Sequence, residues 1–567
     1  MRQAHERNRE RRANRYLKRI KYGNVVSRLV DANLRDPGRK WLFEVVFDYG
    51  EHHATKPTPD PQPGQKWLCR RDPFSSYRPG FELRTYRLCQ RVLMFHRFAE
   101  LGDQPCLVRS TDFSYGDDKD AESDPKRGSL LASFLYSVTS CGYKRRGGSY
   151  LSKSMPPMQF RYQRVELDPT VYDVDPASIE NLPIGLDGQI YQWVDLDGEG
   201  ISGVLAEQAG GWFYKRNLSP AKQVKKNNVA RPHASFAPVE RIAARPNTEI
   251  GAAGAQFMDL AGDGQMDLVM LDGPTPGFYE RDKDAGWRSF RSFLARLDRD
   301  MRDPNLRLVD LDGDGRADVL ITEDQVLTWY PSLGKDGFDA PRRVAKAQDE
   351  EDGPALVFAD GTQSIYLADM SGDGLSDLVR IRPNSICYWP NLGGRFGAKV
   401  TMDNAPFFAA PDCFDQRRIR LADIDGSGTT DIIYLGSDGP SLFFNQAGNS
   451  WSAEQTLPGF PPVDNLTAVS VLDLLGIGTA CLVWSSPLPG TAQTSMKYVD
   501  LMSGRKPHLL IEVRDNLGSV TTIEYQPSTR FYLEDKIAGK PWVTRLPFPV
   551  QCVAKVTVAA SPCPLPI

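Results

Sequence analysis

The stretch Val309-Asp310-Leu311-Asp312-Gly313-Asp314-Gly315-Arg316-Ala317-Asp318, followed by Val319-Leu320-Ile321, decides how the rest of the chain is read. Carboxylates stand at loop positions one, three, five and nine, with glycine at four and six. This matches the first nine positions of an EF-hand loop, where the glycine at six permits a sharp turn and the backbone carbonyl at seven adds a ligand. The candidate calcium ligands are therefore Asp310, Asp312, Asp314, the carbonyl of Arg316, and Asp318. Position twelve is Ile321 instead of a bidentate glutamate, and the β-branched run predicts that the loop enters a strand. A second account needs no metal: each aspartate accepts bonds from loop amides in an Asx-type turn. Both accounts stand for this loop.

The loop recurs at Asp195, Asp259, Asp369, Asp423 and, more worn, Asp473, at intervals of roughly fifty to sixty-five residues. In these copies Ala261, Ser371, Ser427 and Gly203 each replace a ligand, and the copy at Asp473 keeps only one, so the metal-free turn is expected there. An apolar strand follows each loop, and in most copies a second, aromatic strand, as in Leu327–Pro331, Ile386–Asn391 and Leu442–Asn445. One such unit cannot bury its own apolar face, but six arranged radially can. The expected fold is all-β, a six-bladed β-propeller over residues 168–505. The aromatic stripes (Trp329, Tyr330, Tyr388, Trp389, Phe443, Phe444) serve either as blade core or as a sugar-stacking face.

The chain has 567 residues, a net charge of −3 and 41% apolar residues, ordinary values for a globular protein of several domains. No apolar run is long enough to span a bilayer, so direct membrane insertion is not expected. The N-terminus shows no apolar h-region, which predicts synthesis in the cytoplasm without a signal peptide of the usual kind. The nine cysteines are odd in number and include no C-x-x-C pair, which predicts reduced thiols.

Residues 1–22 carry Arg7, Arg9, Arg11, Arg12, Arg15, Lys18, Arg19 and Lys21, opposed by Glu6 and Glu10. A solvated helix is expected there, and no nucleic-acid partner, because no nucleic-acid-binding signature accompanies the run. Strands are expected at 22–29, 41–49, 81–98, 129–139 and 159–167, with an exposed acidic loop at 117–125; residues 1–167 read as a β-rich domain of their own. Residues 506–567 read as a third unit: two strands around the Asp515-Asn516-Leu517-Gly518 turn, a strand at 550–558, and a Pro-rich tail.

Catalytic chemistry finds little footing. Six histidines include no H-E-x-x-H motif, and there is no G-x-S-x-G elbow or P-loop lysine. His52-His53 beside Glu51 reads as loop surface. The aspartates that open the Gly-rich loops repel phosphate. The chain is not expected to be an enzyme.

Four stretches, Ala13–Asn24, Phe414–Gly428, Leu482–Gly490 and Thr544–Val550, resemble the B component of bacterial insecticidal toxin complexes, which shares its amino-terminal region with the Salmonella virulence plasmid B protein. The resemblance covers nearly the whole chain. It implies the carboxy-terminal part of an SpvB-like domain, a propeller of FG-GAP (VCBS) repeats, and the start of the toxin middle region with its Rhs-type strands. It also implies the partners, a pore-forming A component and an Rhs-type C component, and a non-catalytic role outside the cell as a virulence factor, with the propeller docking on A and gating the shell. The chain starts inside the SpvB-like domain, and its Pro-rich end reads as a premature or frame-shifted stop. A carbohydrate- or receptor-binding adhesin-like module is the alternative.

Overall fold

Short β-branched and aromatic runs between Gly- and Asp-rich turns form strands throughout, and α1 (Ser528–Ile537) is the one α-helix among the described residues. The computed structural model describes residues 4–9, 12–25, 41–116, 132–181, 191–226, 229–250, 254–282, 286–360, 364–410, 413–464, 466–487 and 496–560. The expected acidic loop at 117–125 and the Pro-rich tail from 561 lie outside them, as do the later part of the strand expected at 22–29 and the start of that at 129–139.

Residues 171–500 form six four-stranded antiparallel sheets, the blades of the propeller. The first three strands of blades one to five are consecutive in sequence, beginning with Tyr191–Val194, Ala255–Met258, Leu306–Val309, Ile365–Ala368 and Ile419–Ala422. Blade six has Ala468–Leu472, Cys481–Ser485 and Met496–Asp500, and its fourth strand is Val171–Asp173, from the chain ahead of blade one. The ring is therefore closed by three residue pairs, Val171 with Val499, Tyr172 with Tyr498 and Asp173 with Lys497.

A central blade strand has neighbours on both faces, so it is a continuous buried run and not an alternating one. Asp318–Thr322 and Cys481–Ser485 are buried at every position. Six apolar clusters form, one at each junction between adjacent blades. Each large aliphatic or aromatic side chain buried there contributes roughly 1.5–3 kcal/mol of transfer free energy. The aromatic stripes belong to these clusters: Trp389, Tyr388 and Phe444 are fully buried, and Trp329, Tyr330 and Phe443 nearly so. Their rings are not available as a sugar platform, because the neighbouring blade covers them.

The two flanking segments, read as separate units from sequence, share one ten-stranded sheet. Met158–Tyr162 pairs with Leu510–Arg514, so strands from before and after the propeller run on into each other. The path begins at Arg19–Asn24 and ends at Gln551–Ala560. No run of single-strand periodicity could show this, since the joined strands are some 350 residues apart, as Arg161 and Glu512 illustrate with a separation of 351.

The basic N-terminal run is not a solvated helix. It holds one 3-10 turn, Ala4–Glu6, and is pinned to its surroundings by charge. The Ala4 amide donates to Asp403 at 3.0 Å, and buried Arg9 donates to Glu82 at 2.9 Å. Arg9 with Glu82, Arg19 with Glu44 and Asp60, and Lys18 with Glu51 find distant carboxylates that the fold supplies.

Candidate functional site

Every Asp-Gly loop joins the first strand of a blade to the second. In the loop at 310, the Asp310 carboxylate accepts from the amides of Gly313 (2.7 Å), Asp314 (3.2 Å) and Gly315 (2.8 Å). Asp369 accepts in the same way from Gly372, Asp373 and Gly374, and even the worn copy keeps the device, with Asp473 accepting from Ile477 and Gly478. Gly313 and Gly315 have φ of 79° and 86°, and the equivalent glycines of the other loops are likewise left-handed, which is why both are glycine.

Asp318, read as a ninth-position ligand, is placed differently. It is 1% exposed, and its two oxygens accept from the amides of Leu311 (3.1 Å) and Ser332 (2.7 Å). Asp377 and Asp431 repeat this in blades four and five, bonding Met370 and Asn391, and Ile424 and Asn445. The residue thus ties the first loop to the end of the third strand. Burial pushes the Asp318 carboxyl up to about 6, against the pull of those amides.

Three of the proposed ligands do converge. Carboxylate oxygens of Asp310, Asp312 and Asp314 lie within 4.8 Å of one another, without Asp318. Burial, then repulsion from Asp314, raises the Asp312 carboxyl. The side chain of Arg316 lies on Asp314, its Nε donating at 2.8 Å, so part of the charge is already neutralised. Three hard oxygen donors fit calcium, but a competing guanidinium and a missing fourth carboxylate fit it weakly. Asp423, Asp425 and Asp431 form a second such group, with His508 Nε2 3.4 Å from Asp425. A third, Asp48, Glu51 and His52, holds the Lys18 ammonium, which bonds Glu51 and lies 2.7 Å from His52 Nε2. His52 is thus a buried partner of a lysine and not loop surface.

The six loops touch in order around one rim. Gly198 lies against Gly264, Gly262 against Arg316, Gly313 against Leu375, Gly372 against Thr429, Gly426 against Gly478, and Gly476 against Ile201. Side-chain amides reinforce four junctions: Gln265 to the Leu196 carbonyl (2.8 Å), Asn391 to Leu311 (2.9 Å), Asn445 to Met370 (3.0 Å) and Asn217 to Leu474 (2.9 Å).

The chain's own flanking segments cover this rim. Arg545–Phe548 lies over the loops of blades one and two; a Cβ at Gly200 would sit 2.8 Å from the Leu546 carbonyl oxygen. Lys506 lies over the loops of blades five and six, and Arg78 over those of three and four. The Tyr77 amide donates to Asp373 at 2.5 Å. Nothing local in the sequence marks these residues, or α1 with them, as a cover for the loop rim; only long-range contact reveals it.

Three family models match parts of the chain. They are the Salmonella virulence plasmid 65kDa B protein over residues 1–98, an FG-GAP-like repeat over 310–380, and the insecticide toxin TcdB middle/N-terminal region over 445–561. Among solved structures, a Photorhabdus luminescens Tc holotoxin pore aligns with 96% of this chain at 28% identity and a TM-score of 0.80. The chain resembles the B component of insecticidal toxin complexes. A TcdB2-TccC3 crystal structure aligns over 96% of the chain at 26% identity and a TM-score of 0.66. In these two comparisons the chain spans 24% and 25% of the matched chains. Among curated relatives, a mono(ADP-ribosyl)transferase SpvB of Salmonella typhimurium is 40% identical over 145 residues, covering 25% of this chain and 23% of the relative. Among the described residues no helix is long and apolar enough to cross a membrane.

Proposed function

We propose that this chain is a non-catalytic component of a toxin complex, acting outside the producing cell, whose propeller docks on a pore-forming A component. The docking face is the one opposite the Asp-Gly loops, and the ten-stranded sheet belongs to the wall of a shell formed with an Rhs-type C component. The observation that carries this reading is the covered loop rim: the chain's own residues 77–78, 506 and 545–548 lie on it. The far rim, with turns such as Ala209-Gly210, Pro383-Asn384 and Ser437-Asp438, is left as a rigid surface of loops suited to a partner. The non-catalytic reading rests on the absence of catalytic motifs from the sequence.

Pull-down of the folded chain with a cognate A component tests the proposal. Binding at micromolar concentration is expected, and so is its loss when Asp438 and Asn384 are both changed to Arg. Absence of binding by the folded chain removes the docking role and moves the glycan- or receptor-binding alternative ahead. We further propose that Asp310, Asp312 and Asp314, with the Arg316 carbonyl, take up calcium weakly, while Asp318 shapes the blade. Calorimetric titration of the chain with calcium, giving no heat at several millimolar, overturns that assignment.

A further inference from the structure

The junction between blades six and one differs from the other five. Its two blades are held in one ring by the three-residue pairing of Val171–Asp173 with Lys497–Val499, supported by an exposed Lys497–Asp173 pair at 3.0 Å. Besides the apolar cluster and the Asn217–Leu474 bond between the blades themselves, an element from outside the propeller spans it. Helix α1 connects two strands of the ten-stranded sheet, Ser519–Pro527 and Gln551–Ala560, and its two ends rest on different blades. In its first turn, the Thr529 hydroxyl donates to the Gly476 carbonyl of blade six at 2.6 Å. In its last turn, Lys536 donates to Glu199 of blade one at 2.6 Å and lies 3.5 Å from Asp197. Between these ends Tyr532 and Leu533 are buried against Ile201 of blade one. At the start of the strand that follows the helix, Gln551 donates to the Ile477 carbonyl of blade six at 2.7 Å.

We propose that α1 is a clasp that keeps the propeller ring closed at this junction and makes closure depend on the ten-stranded sheet. The apolar contact favours the closed position. The charged end opposes it in part: Glu199 is 3% exposed, and its Oε2 has no hydrogen-bond partner. Asp197, Arg216 and Lys536 crowd around it, with Arg216 Nε 3.2 Å from Glu199 and 2.9 Å from Asp197, and Arg281 lies 3.7 Å from Asp197. A buried charge that is incompletely bonded is costly, and leaving the site returns it to water. The two contributions offset each other, which is what a contact able to open requires. Space is also at hand: a cleft of about 380 Å³ separates disc and sheet beside the helix, lined by Pro220, Ile477, Lys506, Tyr525 and Gln551.

Hydrogen exchange of the full chain is the test, comparing Lys536→Met with the double variant Glu199→Met/Lys536→Met. The single variant leaves Glu199 buried without its ammonium. The amides of residues 171–173 and 496–500 should then exchange about tenfold faster while those of blades three and four stay unchanged. The double variant replaces the charged end with apolar contact and should slow exchange at the same amides below that of the parent chain. Equal change in every blade, or none at the junction, overturns the clasp. If the single variant does not fold, the double variant decides alone: junction exchange as fast as or faster than the parent's overturns the proposal.

Discussion

In the ten-stranded sheet and the hairpin beside it, Glu44, Asp48 and Glu82 are buried next to guanidinium groups; in the propeller, Asp318, Asp377 and Asp431 are as deeply buried and bond to backbone amides. The first arrangement joins residues far apart in sequence, with separations of 53 for Arg97–Glu44, 43 for Arg91–Asp48 and 73 for Arg9–Glu82. The second is local, 7 residues from Asp318 to Leu311 and 14 to Ser332. A local device can be copied blade after blade, whereas a long-range pair is built once. Asp48 and the propeller's Asp377 and Asp431 also titrate in opposite directions. Burial alone would raise Asp48, but Arg91 and the amides of Gly50 and His52 outweigh it and hold the group low. In Asp377 and Asp431 burial outweighs the amides, and both stand well above the usual range.

The largest expected effect tests the ion-paired region. Arg84 is 2% exposed and bonds Glu6 (2.7 Å), Ser75 (3.0 Å) and Asn449 of blade five (2.8 Å). Arg84→Met takes the guanidinium away from the Glu6 carboxylate, Ser75 and Asn449, and should cost roughly 3–5 kcal/mol in chemical denaturation. Asp377→Asn keeps one acceptor for two amides and should cost roughly 1–3 kcal/mol. Equal losses would mean that the two kinds of buried acid are held alike.

This division also governs what the sequence makes legible. The propeller can be read from Asp310 and its five copies because everything that shapes a loop lies within about twenty residues of it. The purpose of Asp318 cannot be read, since a carboxylate at that spacing serves a cation and a pair of amides equally well. Arg9, Lys18 and Arg19 look like free charge because Glu82, Glu51 and Glu44 join them only through the fold. The single sheet shared by the two flanks, and α1 on the ring junction, are likewise products of contacts between segments hundreds of residues apart.

Lowering pH from 8 to 5 should separate the regions. Burial raises Asp267 and Asp500 to about 7, and Asp318, Asp423 and Asp473 to about 6. A carboxyl raised in the folded state contributes stability that is complete below its unfolded value and lost as pH climbs through 6–7. The propeller should therefore gain stability on acidification, with lowered His233 opposing it. In the sheet and the segments around it, burial lowers His5, His52 and His96, whose stability is present above about 6.5 and lost as pH falls. Depressed Asp48, Asp72 and Glu6 add a further loss below pH 4. Exchange protection, corrected for intrinsic rates, should rise in the blades and fall in the sheet; parallel changes in both would break the comparison.

Calcium should act on the propeller alone and less strongly. At a dissociation constant of ~10⁻³ M, 10 mM calcium stabilises by about 1.4 kcal/mol. Asp312→Ala should abolish the shift in unfolding temperature at little cost to the apo form. Asp318→Ala should lower the apo stability instead, since it breaks the tie from Leu311 to Ser332. A calcium response that survives in Asp312→Ala would place the ion elsewhere.

The smallest effect is expected where the flanking segments meet on the surface. Arg161 and Glu512 form a pair at 3.1 Å across the strands that join the two ends of the chain, but the arginine side chain is 62% exposed. Water screens such a pair, and ordering two long side chains cancels much of the attraction. The junction is held by backbone pairing, Phe160 with Val513 and Gln159 with Arg514, and by Phe134 stacked on His508 at 5.8 Å. Arg161→Ala should therefore change stability by no more than about 0.5 kcal/mol. A loss approaching that of Arg84→Met would show that exposed pairs, and not the buried guanidinium contacts, hold this sheet together.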